Sequence, residues 1–125
     1  MSLRPSHGSL VPVTVWTLFV VVLLVLPGDE VWDPGFDWMD KVAHALLFGV
    51  HFALLAPVLA ARRLAGRPGV AAAVASGLFA VAMETVQLWV PGRGWEVWDL
   101  VAGFIGVAAA ARWLERRRAR LSARL

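Results

Sequence analysis

Four long apolar runs constrain this chain more than any other feature. A helix needs about 20 mostly apolar residues to cross a hydrocarbon core of about 30 Å. The runs from about Leu10 to Leu26, Met39 to Ala61, Val70 to Val90 and Val97 to Leu114 meet or approach that length. Together they fill most of a chain of 125 residues. Hydrophobic residues make up 59% of it and the mean hydropathy is +0.68, which leaves too little polar surface for a soluble domain of this size. The expectation is an all-α integral membrane protein, a four-helix transmembrane bundle forming a single domain over residues 1–125.

The ends of the runs are readable. The first carries no charge and stops at Pro27-Gly28. Only Arg4 stands as a basic leader and no A-x-A site follows, so the run is expected to stay as a span. The second begins with Asp40 and Lys41 and contains His44 and His51. The third has Glu84 and Gln87 in its last turns, and the fourth opens near Asp99. Residues 27–38 form an acidic connection rich in Pro, Gly and Trp. Residues 62–69 form a short basic turn, and Pro91-Gly92-Arg93-Gly94 marks a tight one.

Basic residues hold a membrane segment's flank in the cytoplasm. Arg4, Arg62, Arg63, Arg67, Arg112, Arg116, Arg117, Arg118, Arg120 and Arg124 would share one side of a four-span chain, opposed there by Glu115 alone. The other side would hold Asp29, Glu30, Asp33, Asp37, Asp40, Glu96 and Asp99 against Lys41 and Arg93. Every connection agrees, so both termini are expected in the cytoplasm and the acidic face outside. The pI near 11 therefore does not point to nucleic acid. Basic residues beside apolar runs suit topology signals and contacts with membrane lipids. Trp32, Trp38, Trp89, Trp95 and Trp98 fall near the outer boundary, as an aromatic belt does.

The polar residues inside the spans gather at one end. Asp40, Lys41 and His44 start the second span, Glu84 and Gln87 end the third, Arg93 and Glu96 occupy the outer turn, and Asp99 opens the fourth. Asp40 and His44 share a helical face at i, i+4, and Phe48 and His51 continue that stripe. Glu84 and Gln87 share a face at i, i+3, while Asp99, Gly103 and Gly106 line one side of the fourth helix. Gly103, Gly106 and Ala110, or Gly77 and Ala80 on the third, would admit a close helix. Unpaired charges are costly in a membrane and tend to mark function. The structural alternative is that Asp40 and Asp99 serve as helix-start residues and Glu84 as half of an ion pair with Arg93, Lys41 or His44. His51 reads as a core residue hydrogen-bonded to a neighbouring helix.

Asp40-Lys41-Val42-Ala43-His44 resembles the D-K-x-x-H element of VanZ-like membrane proteins. Glu84-Thr85-Val86-Gln87, then Pro91-Gly92-Arg93, then Asp99 and Gly106, resembles that family's E-x-x-Q, P-x-R and D-x-x-x-N-x-x-G pattern. The likeness covers about residues 37–110. Gly103 stands where the family usually has Asn, Glu96 where it commonly has Asp, and Phe48 where Tyr is common. The resemblance implies a multi-pass protein of the bacterial cytoplasmic (inner) membrane, in a family named for a link to teicoplanin resistance.

Three functions stay open at this stage. A binding module would use Asp40, Lys41, His44, Glu84, Gln87, Arg93 and Asp99 to hold an envelope lipid or a cell-wall precursor, with Lys41 and Arg93 on anionic groups. An enzyme would use His44 and Glu84 as an acid–base pair, or Asp40, His44, Glu84 and Asp99 as ligands to a divalent metal. The chain has no Cys, and Thr85 is the only hydroxyl near the cluster, which argues against a covalent acyl-enzyme. A structural protein would use the cluster to pin the bundle and its small-residue faces to pack against a second copy or another membrane protein. No cofactor is specified by the sequence.

Overall fold

The computed structural model describes residues 8–28 and 37–125. Arg4, His7, Asp29, Glu30, Trp32 and Asp33 lie outside the described residues, as does the side chain of Asp37. The described chain is all-α. Four helices follow one another: α1 (Val11–Val25), α2 (Asp37–Ala61), α3 (Pro68–Val86) and α4 (Val97–Ser122), with one 3-10 turn at Gln87–Trp89 after α3.

Three of the helices are long and apolar enough to cross a membrane: Trp38–Ala61, Pro68–Trp89 (α3 with its 3-10 turn) and Val97–Ser122. α1 is apolar but has 15 residues, about 22 Å at 1.5 Å per residue. That falls short of the expected full-length first span. The chain extends it at both ends. Arg62 Nε donates to the Gly8 carbonyl at 2.8 Å, and the Gly28 amide donates to the Pro91 carbonyl at 2.9 Å. Gly8 and Gly28 are thus tied to opposite ends of the bundle, so α1 with its flanks runs the bundle's whole length.

Local chemistry explains the element ends. Pro stands in the first turn of α1 and of α3, where its missing N–H costs nothing. α2 ends with the Leu64 amide on the Leu59 carbonyl and the Arg63 amide on the Ala60 carbonyl, while Arg63 takes φ 54°. This is a Schellman cap with an arginine where glycine is usual. Val90-Pro91-Gly92-Arg93 closes a turn through the Arg93 amide and the Val90 carbonyl, and Gly92 supplies its φ of 72°. The third helix departs from the sequence expectation near its end, where the backbone tightens into the 3-10 turn.

The register follows from cross-helix contacts. His51 meets Ser76 and His44 faces Glu84, so α2 and α3 are antiparallel. Lys41 meets Asp99, and Gly49 lies against Gly106, so α2 and α4 are parallel. α2 is the central helix. It packs on all three others, most extensively on α4. Its core face is Leu47, Phe48, Phe52 and Ala56, met by Val20 and Leu24 of α1, Ala72, Ala80 and Met83 of α3, and Val107 of α4. A Cβ on Gly49 would lie 2.9 Å from the Gly106 carbonyl oxygen, and one on Gly106 would collide with the Ala45 carbonyl. The small residues on α4 therefore serve contacts within the chain. Apolar side chains such as Leu18, Val22, Leu46, Leu78 and Ile105 face outward, as lipid contact requires.

Candidate functional site

The topology brings the start of α2, the end of α3 and the start of α4 to one level. Asp40, Lys41 and His44 come from α2, Glu84 from α3, and Glu96 and Asp99 from the α4 entry. His44 and Glu84 are each only 2% exposed and Asp99 3%, whereas Asp40 and Glu96 face outward.

Lys41 bridges the two acids of the α4 entry. Its ammonium lies 3.1 Å from Asp99 Oδ1 and 3.2 Å from Glu96 Oε2. Asp99 also sits in the first turn of α4, where the helix dipole favours a carboxylate. It is not a capping residue, since the N-cap position is Glu96 and that side chain makes no cap hydrogen bond. The orphan amide of Glu96 is satisfied from another helix instead. It donates to Glu84 Oε1 at 2.7 Å. Glu84 thus does for α4, across the bundle, what a glutamate in the first turn does locally in a capping box.

His44 lies between Asp40 and Glu84. Its Nδ1 donates to the Asp40 backbone carbonyl at 2.9 Å, with the Asp40 carboxylate at 3.8 Å. A carbonyl oxygen only accepts, so this contact puts the proton of a neutral ring on Nδ1 and leaves Nε2 with a lone pair. Among the described residues Nε2 has no hydrogen-bond partner; it is buried and stands 3.6 Å from Glu84 Oε2. Two acceptors therefore face one another across a gap too long for a hydrogen bond. A shared proton, or a donor brought by a ligand, satisfies both.

Gln87 and Arg93 are not drawn into this constellation. Gln87 Nε2 donates to the Leu24 carbonyl at 3.2 Å. Arg93 donates to the carbonyls of Leu26 and Leu23 at 3.3 and 3.4 Å. Both hold the C-terminal carbonyls of α1, a favourable place for a cation and for side-chain donors. Glu96, which the sequence puts at the polar end but not among the candidate ligands, joins the constellation through Lys41 and through its own amide. Its position beside Asp99 was the available signal.

The metal reading finds three donors. A ring nitrogen of His44 and carboxylate oxygens of Asp40 and Asp99 lie within 4.8 Å of one another. Glu84 stands outside that trio, and the Lys41 ammonium already neutralises Asp99. His51 is separate from the site. Its Nδ1 pairs with Ser76 Oγ at 2.8 Å, and its ring lies against Phe79. Gly103 faces Phe48 and Ala80, and a Cβ there would stand 3.0 Å from the Phe48 ring. The phenyl ring thus takes the room that a side chain at position 103 would use. Trp38, Trp89, Trp95 and Trp98 are exposed around this end of the bundle.

A protein-family model described as VanZ/LLP1 matches residues 2–114. No curated protein and no solved structure matches the chain. With nearly its whole length matched and the D-K-x-x-H and E-x-x-Q elements meeting at one end of an all-α bundle, the chain belongs to the VanZ/LLP1 family.

Proposed function

We propose that this protein crosses the bacterial cytoplasmic membrane four times, with both termini inside, and uses the Asp40–His44–Glu84–Asp99 end as an outward-facing binding site. The ties of Gly8 and Gly28 to opposite ends of the bundle support a crossing by α1 despite its short helix. The uneven placement of arginine supports the orientation.

The observation that carries the binding reading is the unpartnered His44 Nε2 facing Glu84 Oε2. Two buried acceptors call for a hydrogen-bond donor. Four carboxylates, Asp40, Glu84, Glu96 and Asp99, share that end with one lysine, which pairs with two of them, so the site favours an ammonium or hydroxyl group over an anion. An envelope lipid headgroup or a cell-wall precursor offers such groups. An effect on teicoplanin susceptibility would follow from holding such a precursor. In this reading Gln87 and Arg93 act as positioning residues that fix α1 beside the site.

Native mass spectrometry in mild detergent tests the reading, with wild type beside Glu84→Gln. The amide oxygen of Gln still accepts from the Glu96 amide, so the variant keeps the α4 entry while losing the carboxylate. Wild type should carry a co-purified ligand that the variant releases. Equal loading of both proteins, or none on either, would sink the proposal.

The trio of Asp40, His44 and Asp99 favours a second reading, a membrane-embedded enzyme in which these residues would hold a divalent ion that would supply Lewis-acid chemistry. His44→Ala and Asp99→Asn would then each lower the divalent metal retained by the purified protein, measured by inductively coupled plasma mass spectrometry. Unchanged metal content in both would remove this reading.

A further inference from the structure

The opposite end of the molecule holds charge of another kind. The core contacts of α4 end at Leu114, but the helix continues to Ser122, and every residue from Glu115 onward is exposed. Eight residues of helix, about 12 Å, therefore stand clear of the bundle. From the turn before this extension to just beyond its end, Arg112, Arg116, Arg117, Arg120 and Arg124 recur at helical spacing along one face and line a groove of about 590 Å³ with Trp113. The guanidinium of Arg117 lies 5.5 Å from the centre of the Trp113 ring, a cation–π distance. Trp113 and Leu121 are both more than half exposed on the same face. Glu115 and Arg118 fall on the opposite face.

Among the described residues, none of these guanidinium groups pairs with a carboxylate. A soluble helix spends the i, i+3, i+4, i+7 stripe on packing. Here that stripe carries five unpaired arginines, and it begins as the apolar run of α4 gives out near Leu114. A planar guanidinium fork matches a phosphate oxygen pair, and an exposed tryptophan suits the headgroup level of a bilayer.

We infer that the protruding end of α4 is a binding surface for the phosphate headgroups of anionic phospholipids in the leaflet where that helix leaves the hydrocarbon. The arginines engage the phosphates, and Trp113, at the base of the extension, rests against the acyl-chain boundary. The surface is independent of the Asp40–His44–Glu84 cluster, so either proposal can fail alone.

The full chain in neutral detergent, titrated with phosphatidylglycerol, phosphatidylcholine or inorganic phosphate and read by native mass spectrometry, provides the test. Each arginine near an anionic surface contributes a factor of about five in binding. Wild type should prefer phosphatidylglycerol to phosphatidylcholine at least about tenfold, and added salt should erase the preference. Arg116→Gln should weaken phosphatidylglycerol about fivefold, while Arg118→Gln, which removes the same charge from the opposite face, should change it less than about twofold. Equal effects of the two substitutions would reduce the surface to net charge alone and overturn the assignment. So would a wild type without preference between the two lipids, or one that binds inorganic phosphate as well as it binds phosphatidylglycerol.

Discussion

His44 and His51 stand two helical turns apart on α2, and both are buried. Each ring makes one short contact through Nδ1, yet the partners differ in kind. His51 meets the Ser76 hydroxyl, which donates or accepts as the ring requires. His44 meets the Asp40 backbone carbonyl, which only accepts. The first pair adapts to either tautomer of the histidine. The second is committed, and its commitment leaves the Nε2 lone pair facing Glu84 Oε2 at 3.6 Å. Burial of a polar side chain in an apolar bundle thus does not by itself mark a site. The mark is a polar atom whose bonding capacity is left over after the fold is satisfied.

Substitutions at both levels can break or sharpen that comparison. The largest effect should come from Glu84→Ala, which strands the Glu96 amide and removes the charged acceptor it bonds. A loss of about 3 kcal/mol is expected, read as a fall in melting temperature by tryptophan fluorescence in detergent. Glu84→Gln should recover more than half of that loss, since it keeps the acceptor for Glu96.

Lys41→Met comes next. It leaves buried Asp99 without its cation and should cost about 2 kcal/mol in an SDS unfolding titration. Full stability in this variant would mean that Asp99 finds its compensation elsewhere, in the α4 dipole or a bound ligand.

Arg93→Ala should act more locally. Removing donors from the last carbonyls of α1 should cost about 1 kcal/mol. The sharper readout is hydrogen exchange at the Gly28 amide, which should quicken as α1 loosens from the Pro91 turn. Unchanged exchange there would show that Gln87 and the Gly28–Pro91 bond suffice.

Ser76→Ala should have the smallest effect, about 0.6 kcal/mol, as hydrogen bonds between membrane helices average. It should leave any ligand on the His44–Glu84 end in place. A cost equal to that of Glu84→Ala, or a lost ligand, would erase the distinction between the two histidines.

Much of the polar cluster is legible in the sequence. Asp40, Lys41, His44, Glu84 and Asp99 lie at matching ends of consecutive apolar runs, and alternating helices must bring matching ends together. Spacing puts Gln87 and Arg93 at the same end, and in the fold their side chains donate to the end of α1. The reason is physical: their acceptors are the backbone carbonyls of Leu23, Leu24 and Leu26. Every residue has a carbonyl, so a helix end that needs donors leaves no trace in side-chain patterning. The length of α4 was underread for a similar reason. The apolar run stops at Leu114, but Glu, Arg, Ala and Leu after it are strong helix formers, so the helix continues to Ser122.

Sequence alone determined the class of molecule: apolar runs of membrane length, basic and acidic flanks of opposite sign, and two motif elements placed at the ends of neighbouring runs. These are properties of single segments in contact with lipid or water, so composition and spacing carry them. Tertiary structure decided the partners. Only packing could set Glu84 Oε1 on the Glu96 amide, turn Arg93 to the end of α1, press Gly106 against Ala45, and leave His44 Nε2 open toward Glu84. Each of those depends on distances of a few ångströms between segments far apart in the chain, which the order of residues does not encode locally.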